Sequence, residues 1–287
     1  MRLALFAAVL AAVAVVVTGC GGSGGAAKRA TVVGSFYPLA WVADRVAAPG
    51  TRIVDLTPAG AEPHDLELTP RDLETLQDAN VVLYLGHGFQ PAVEKAVEGR
   101  SGPSIDLLST QTLRPGAEEG ATADPHVWLD PTRLARIAIA VGSALHREQA
   151  AEHLAAELQT LDREFRTGLA RCRRHEIVTS HAAFGYLAAR YGLVQVALTG
   201  LSPEAEPSPK DLERLVDDVR RSGATVVFSE TLVSPRLAET IAREAGAATA
   251  VLDPIEGLTE DETSAGEDYL SRMRWNLVTL RKALGCR

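Results

Sequence analysis

Three histidines and one aspartate lie in separate segments rich in proline or aromatic residues, and together they could bind a metal ion. His64 lies in AEPHDLELTP, His126 in DPHVWLDP, His181 in SHAAFGYLAARYGL and Asp253 in LDPIEG. Neutral imidazoles with one carboxylate suit Zn²⁺, which favours nitrogen, sulfur and oxygen ligands in a tetrahedron. Because the four residues are far apart in the chain, only folding could bring them together.

Two further acids could assist these candidate ligands. Glu62 precedes His64 by two residues, and it could supply a further oxygen ligand, orient the imidazole from behind or remain a solvated acid of the loop. Glu230 ends a predicted strand in FSET, where it could accept a hydrogen bond from a ligand histidine. Asp130 precedes a proline at the start of a helical pattern, so we interpret it as a helix N-cap.

Short β-rich runs alternate with amphipathic helical stretches, which is typical of parallel sheets flanked by helices. We therefore predict an α/β fold of two lobes, each with a four-stranded, mostly parallel sheet flanked by helices. Ligands of such sheets bind beyond the carboxyl ends of the strands, where His64, His181 and Asp253 are expected. The predicted strands cover residues 31–35, 51–56, 81–85 and 104–107, then 176–180, 193–197, 225–229 and 249–252.

One long linker helix is predicted between the lobes, at residues 149–172. Apolar residues there recur three or four positions apart, the spacing of one face of a helix. This divides the chain into an N-terminal lobe at 30–148 and a C-terminal lobe at 173–287, and each is expected to supply two metal ligands. The apolar positions are Leu154, Leu158, Leu161, Phe165 and Leu169.

A partial internal repeat also indicates two similar lobes. AEP followed by TPRDLETL at 61–76 is matched by AEP followed by SPKDLERL at 205–215. In each copy the residue before the proline, Thr69 or Ser208, is the predicted N-cap of a helix, with an acid in the first turn.

The first residues predict export. Arg2 precedes fifteen apolar residues at 3–17, a run typical of a signal peptide and too short to span a membrane. The VTGC that follows resembles a lipobox, which predicts a signal peptide at 1–19 and lipidation of Cys20, with a flexible tether at 20–29. We expect a protein anchored by lipid on the outer face of the cytoplasmic membrane. An ordinary secretory signal with an incidental cysteine is the alternative.

The two remaining cysteines, Cys172 and Cys286, are expected to form a disulfide in an oxidising compartment. Two buried free thiols are the alternative. The formal net charge of −8, or −9 once Arg2 is removed, does not favour nucleic acid as a partner and is expected to attract cations.

The chain resembles the cluster A-I solute-binding proteins, the metal-binding lipoproteins that feed zinc or manganese to ABC importers. The resemblance extends over nearly the whole mature chain and rests on several segments in order: GSFYPLAWVADRV, DPHVWLDP, VTSHAAFGYLAARYGL, GLSPEAEPSPKDLERLV, VVFSETLVSP and VLDPIEGLT. It departs from many zinc-binding members at residues 109–125. Those members have a long loop rich in histidines and acids, whereas this segment is short and holds only Glu118, Glu119 and Asp124 as acids.

The resemblance implies that His64, His126, His181 and Asp253 are the four ligands of a transported Zn(II) ion. It also implies a rigid linker helix, a small movement of the lobes, and an ABC permease with its ATPase as partners. A manganese receptor of the same fold is the alternative, although a glutamate would then be usual at the position of His181.

A secreted zinc hydrolase is a further alternative, but the HExxH motif is absent. The ATP-binding pattern GxxxxGK[ST] is also absent, so energy for transport must come from a partner. We expect a monomeric receptor without enzymatic activity.

Overall fold

The N-terminal lobe contains a four-stranded sheet, and helices connect its successive strands. The protein is described by a computed structural model that covers residues 29–116, 123–203 and 208–287. The elements of this lobe are β1 Thr31–Gly34, α1 Tyr37–Val46, β2 Arg52–Asp55, α2 Pro70–Asp78, β3 Val81–Tyr84, α3 Pro91–Glu98, β4 Ser104–Asp106 and α4 Pro131–Leu145.

The long helix α5 (Glu148–Leu169) leads to a C-terminal lobe with the same arrangement. Short 3-10 turns follow β4, precede α4 and precede α6. The elements of this lobe are β5 Glu176–Thr179, α6 Gly185–Tyr191, β6 Val194–Ala197, α7 Pro209–Ser222, β7 Val226–Ser229, α8 Arg236–Ala245, β8 Ala248–Val251, α9 Glu260–Ser264 and α10 Tyr269–Leu284.

Both sheets are parallel and have equivalent strand orders, β2-β1-β3-β4 and β6-β5-β7-β8. The predicted α/β fold with two four-stranded sheets is therefore confirmed. In each sheet the order reverses beside the first strand, so the loops after β1 and β3, and those after β5 and β7, are neighbours. In open parallel sheets this point forms a crevice suited to ligands.

The predicted helix starts of the internal repeat are present in both lobes. The Thr69 hydroxyl accepts a hydrogen bond from the backbone N–H of Asp72, whose carboxylate in turn accepts one from the Thr69 N–H. Ser208 and Asp211 form the same reciprocal capping box at the start of α7. Each box satisfies N–H groups that the first turn of a helix leaves without a partner. The AEP of the second copy, at 205–207, lies outside the described residues.

Helix α5 is 22 residues long, or about 33 Å at 1.5 Å per residue. The five apolar residues that predicted this helix are all buried. They belong to a large core that also includes Val42 and Trp128 of the N-terminal lobe and Phe184 and Tyr269 of the C-terminal lobe. Two smaller clusters lie beneath α2 and α3 and beneath α7 and α8. The main core is thus continuous between the lobes.

The C-terminal helix α10 forms a second connection between the lobes. The rings of Tyr269 and Trp41 lie 5.0 Å apart between centroids, and the Tyr269 hydroxyl donates a hydrogen bond to the Trp128 carbonyl. Beyond α10, Cys286 forms the predicted disulfide with Cys172, at a sequence separation of 114. The end of the chain is therefore fixed beside the end of α5.

The predicted signal peptide, Cys20 and most of the tether lie outside the described residues, as do Glu118 and Glu119. Across the portion that the structure covers, no helix combines the length and apolar character needed to cross a membrane.

Candidate metal centre

Three of the predicted ligands meet between the lobes, together with a glutamate that the sequence analysis did not select. One side-chain atom from each of His64, His126, His181 and Glu256 lies within 4.8 Å of the others. The loop after β2 supplies His64, and the loop before α4 supplies His126. His181 directly follows the end of β5, and Glu256 lies beyond β8. Each lobe contributes two of the four side chains.

Four of the six distances within this group match those of tetrahedral zinc ligands. The Nε2 atoms of His64, His126 and His181 lie 3.4, 3.3 and 3.4 Å from Oε1 of Glu256, and Nε2 of His126 lies 3.3 Å from that of His181. Tetrahedral ligands with bonds of about 2.0–2.1 Å to zinc are about 3.3–3.4 Å apart. The measured separations therefore leave room for an ion of this size at the centre.

These donor atoms are removed from solvent. His126 and His181 are fully buried, and Glu256 is 2% exposed. Within the described chain, Nε2 of His64 and Oε1 of Glu256 are buried and form no hydrogen bond. Buried polar atoms without hydrogen-bond partners are unfavourable, and they frequently indicate a missing ion or water. The residues therefore fit a metal ion both in donor type and in geometry.

Asp124 orients the His126 ring from behind. Its Oδ1 lies 2.9 Å from Nδ1 of His126 and also accepts the His126 backbone N–H. This pairing directs Nε2 towards the group of ligands. Gly185 allows the approach of Asp124, because a Cβ atom at this position would lie 2.8 Å from Oδ2 of Asp124. The sequence analysis noted Asp124 only as a loop acid, although its position two residues before the histidine was an available signal.

Glu230 orients the His181 ring in the same way. Its Oε2 lies 2.7 Å from Nδ1 of His181, and its Oε1 accepts the His181 backbone N–H. The structure thus places Glu230 in the position that the sequence analysis proposed for it. The pairing is possible because β5 and β7 are adjacent, which makes the residues after the two strands neighbours.

Glu62 contacts the backbone of His64 and not its ring. Its Oε2 accepts the His64 N–H at 2.9 Å, while its Oε1 is buried without a hydrogen-bond partner in the described structure. The His64 ring packs edge-on against Phe89, with centroids 4.7 Å apart. His64 is thus positioned by its loop and by an aromatic neighbour, and among the described residues no carboxylate is recorded behind its ring.

The structure corrects the predicted fourth ligand, because Asp253 lies outside the group. Both carboxylate oxygens of Asp253 have protein partners: Oδ2 accepts from Nε of Arg272, and Oδ1 accepts from the Ile255 N–H and the Thr231 hydroxyl. Glu256, three residues later in the same loop, directs its carboxylate to the three histidines instead. The sequence analysis selected Asp253 of this loop, whereas the structure places Glu256 of the same loop beside the histidines.

The pKa values within the group reflect competition between burial and opposite charge. Burial lowers the pKa of His64 below its ordinary value. Burial also opposes protonation of His181, but Glu230 and Glu256 outweigh it and raise the pKa of this imidazole to about 10. Burial similarly disfavours the charged form of Glu256, yet His181 and the other two imidazoles hold the pKa of its carboxyl well below the usual range. A proton on His181 and a metal ion would therefore compete for the same place.

Comparison with known proteins identifies relatives over most of the chain. The family model for ZnuA, "Zinc-uptake complex component A periplasmic", matches residues 32–283. The zinc-binding lipoprotein AdcA of Streptococcus pneumoniae is 34% identical over 278 residues, which cover 88% of this chain and 56% of AdcA. The chain thus spans little more than half the length of that relative. The high-affinity zinc uptake system protein ZnuA of Bacillus subtilis is 31% identical, with 96% of both chains covered.

Solved structures agree with this result. The Zn(II)-bound ZnuA-like domain of Streptococcus pneumoniae AdcA is 35% identical, with a TM-score of 0.76 and coverage of 89% of this chain and 99% of that one. The laminin-binding protein Lmb of Streptococcus agalactiae, described as an adhesin with metal-transporting activity, has a TM-score of 0.82 at 28% identity, covering 90% and 100% of the two chains. The chain belongs to the family of zinc-uptake complex component A proteins.

Proposed function

We propose that the protein is an extracytoplasmic receptor that captures Zn(II) between its lobes and delivers it to an ABC-type importer. His64, His126, His181 and Glu256 are the proposed ligands. The observation that carries the proposal is the group of four buried donor atoms, in which the three Nε2 atoms lie 3.3–3.4 Å from Oε1 of Glu256. Zinc-binding relatives of the same fold support this choice of cargo.

The donor set also favours zinc over manganese. Three imidazole nitrogens with a single carboxylate suit Zn²⁺, whereas Mn²⁺ prefers sites richer in oxygen. The carboxylates of Asp124 and Glu230 are engaged behind the rings of His126 and His181. They support the histidines and leave Glu256 as the acid facing them.

The site is suited to holding an ion and not to activating a water molecule. Four protein donors complete the tetrahedral coordination of zinc, whereas catalytic zinc sites keep one position for water or substrate. We therefore propose a transport receptor in preference to a zinc hydrolase.

Delivery is proposed from family membership and from the predicted export of the chain. The partners would be a membrane permease and its cytoplasmic ATPase. Lipidation of Cys20 would keep the receptor, proposed to act as a monomer, at the outer face of the cytoplasmic membrane. A lipid anchor would favour encounters with the permease by confining both proteins to one surface.

Metal analysis and calorimetry test the proposed cargo. We expect protein purified without added metal to contain zinc, and the metal-free form to bind Zn²⁺ more tightly than Mn²⁺. His126→Ala should weaken zinc binding by at least ~100-fold, because zinc-site free energies of about 10–16 kcal/mol are shared by four ligands.

His153→Ala is the matched control. His153 lies on the exposed face of α5, with its side chain 79% exposed, and its replacement should leave zinc affinity unchanged. Wild-type protein that binds no zinc, or a His126→Ala variant with the affinity of the wild type in a chelator competition, would overturn the proposed function.

A further inference from the structure

The loop that carries Glu256 is held by a buried aspartate and by the C-terminal helix. The Asp253 backbone N–H donates to Oδ1 of Asn276 at 2.9 Å, and Nδ2 of Asn276 donates to the Asp253 carbonyl at 2.6 Å. Nε of Arg272 donates to Oδ2 of Asp253 at 3.0 Å. Arg272 and Asn276 are one helical turn apart on α10, so they face the loop together. We call Asp253, Arg272 and Asn276 the Asp253 clamp.

Between the clamp and the ligand, the backbone adopts an unusual conformation. Ile255 has φ 55°, and its N–H donates to Oδ1 of Asp253 at 2.8 Å. A β-branched residue is rarely found in the left-handed region. Such a conformation costs about 1–3 kcal/mol and persists only when its surroundings enforce it. The turn over the Asp253 carboxylate supplies this enforcement, and Glu256 is the next residue.

The N-terminal lobe holds the same loop from the other side. Nε1 of Trp128 donates to the Pro254 carbonyl at 2.7 Å. Trp128 is fully buried and lies two residues after His126, another proposed ligand. The segment from Asp253 to Glu256 is therefore fixed by α10, by its own turn and by the opposite lobe.

We infer that Asp253 is a positioning residue for metal binding, which acts with Arg272 and Asn276 to hold the Glu256 carboxylate against the three histidines. The inference rests on the proposed function, because it assigns Glu256 as a ligand. The clamp places Glu256 among the proposed ligands and keeps Asp253, which binds Arg272, away from them. It makes α10 part of the binding machinery, although the helix contributes no ligand.

Two substitutions of Asp253 separate the parts of the clamp. Asp253→Asn keeps the size of the side chain and an acceptor for the Ile255 N–H, but it removes the charge that Arg272 binds. Asp253→Ala also removes the acceptor for the Ile255 N–H, and with it the turn over the Asp253 carboxylate. Loss of partners behind a metal ligand typically weakens binding ~10–100-fold. We expect the lower part of this range for Asp253→Asn and the upper part for Asp253→Ala, by competition with a zinc chelator.

The coordination of bound zinc distinguishes positioning from ligation. X-ray absorption of zinc-loaded Asp253→Asn should show the same three nitrogens and one oxygen as the wild type, because Asp253 is not a ligand. Glu256→Cys should change this pattern, because a ligand at that position would add a zinc–sulfur distance of about 2.3 Å. Glu164→Gln is the control, because it removes another ion pair of α10, that of Arg274 with Glu164, without touching the loop. It should bind zinc as the wild type does.

The outcomes separate this inference from the proposed function. If the wild type binds no zinc, the proposed function fails. If the wild type binds zinc and Asp253→Ala binds it within about twofold, the positioning role is rejected. Loss of an oxygen ligand in zinc-loaded Asp253→Asn would also reject it, in favour of direct coordination. Circular dichroism melting of the metal-free variants shows whether each one folds. If Asp253→Ala is unfolded, Asp253→Asn alone decides the test, because it keeps the acceptor for the Ile255 N–H.

Discussion

The two sheets share one strand order, but their carboxyl ends carry different side chains. At the reversal point of the C-terminal sheet, His181 follows β5 and is paired with Glu230, which follows β7. At the equivalent point of the N-terminal sheet lie Ser35 and Phe36 after β1, and Phe89 beyond β3. The C-terminal crevice is thus polar and presents a proposed ligand, whereas the N-terminal one is filled with uncharged and aromatic residues.

The N-terminal histidines reach the site on longer connections. His64 lies in the middle of the connection from β2 to α2, and His126 lies near the end of the connection from β4 to α4. His181 instead directly follows its strand. We therefore expect the two similar lobes to supply ligands of different mobility, since a residue directly after a strand has less freedom than one in a long loop. We expect the C-terminal ligands to be preformed and His64 to be the most adjustable of the four.

Replacing His181 should have the largest effect on zinc affinity, and comparing this variant with a replacement of His64 tests the difference between the lobes directly. His181→Ala removes a ligand and leaves Glu230 buried without its partner, so we expect zinc affinity to fall by ~100-fold or more and the metal-free protein to lose stability. His64→Ala should reduce affinity less and leave the melting temperature of the metal-free protein nearly unchanged. Chelator competition and thermal melting measure the two effects, and equal losses from both variants would contradict the comparison.

Removing the disulfide tests a covalent difference between the lobes. The Cys172–Cys286 bond closes a loop within the C-terminal half, and the N-terminal lobe has no equivalent among the described residues. Cys172→Ser with Cys286→Ser should lower the free energy of unfolding by about 2–4 kcal/mol, the typical contribution of a disulfide, with about 5 kcal/mol as the limit that the chain-entropy model sets for a loop of this length. Denaturant unfolding of oxidised protein measures this difference. An unchanged midpoint would show that the packing of α10 alone fixes the end of the chain.

The pH dependence of zinc binding should follow the acids around His181. Because Glu230 and Glu256 raise the pKa of His181 to about 10, its imidazole is cationic at pH 7–8. Zinc must therefore displace the second ring proton. Affinity should therefore rise with pH by up to about tenfold per unit below pH 10, which is about 1.4 kcal/mol. Calorimetry in buffers of different ionisation enthalpy should detect about one released proton at pH 8.

The Glu230→Gln variant is the check on that assignment. Loss of the carboxylate should lower the pKa of His181, so zinc binding should release fewer protons at the same pH. Equal apparent enthalpies in all buffers for the wild type would show that His181 is neutral before zinc binds.

The smallest expected effects come from the helix caps, where the two lobes are alike. Thr69→Ala and Ser208→Ala each remove one partner of a capping box and should each destabilise the protein by about 1 kcal/mol. Zinc affinity should not change. Denaturant unfolding of the two single variants and the double variant should give nearly additive losses, and strong non-additivity would mean that the two helix starts are coupled through the core.

Much of the fold and most of the site could be predicted from the sequence. The eight strands are within two residues of their predicted bounds at each end, because short β-rich runs and helical periodicity are local signals. The strand-end positions of His181 and Glu230 likewise followed from the alternation of elements. Placing His126 required the resemblance, because its segment follows no strand directly.

The choice between Asp253 and Glu256 could not be made from local signals. Both acids lie in LDPIEG after β8, and a sequence pattern does not show which of them faces the histidines. That outcome depends on the left-handed Ile255 and on the contacts of Asp253 with Arg272 and Asn276. An aspartate often caps its own turn two residues on, which was the available hint that Asp253 was already engaged.

The continuous core between the lobes determines how an ion could leave. Swinging the lobes wide apart would expose Phe184, Trp128 and Tyr269 to water, at a cost of about 1.5–3 kcal/mol for each large apolar side chain. By contrast, the hydrogen bond from the Gly60 N–H to the Leu258 carbonyl, which joins the His64 loop to the loop after β8, has a net value of about 1 kcal/mol. A small local opening at the His64 loop would therefore cost less free energy than a wide separation of the lobes.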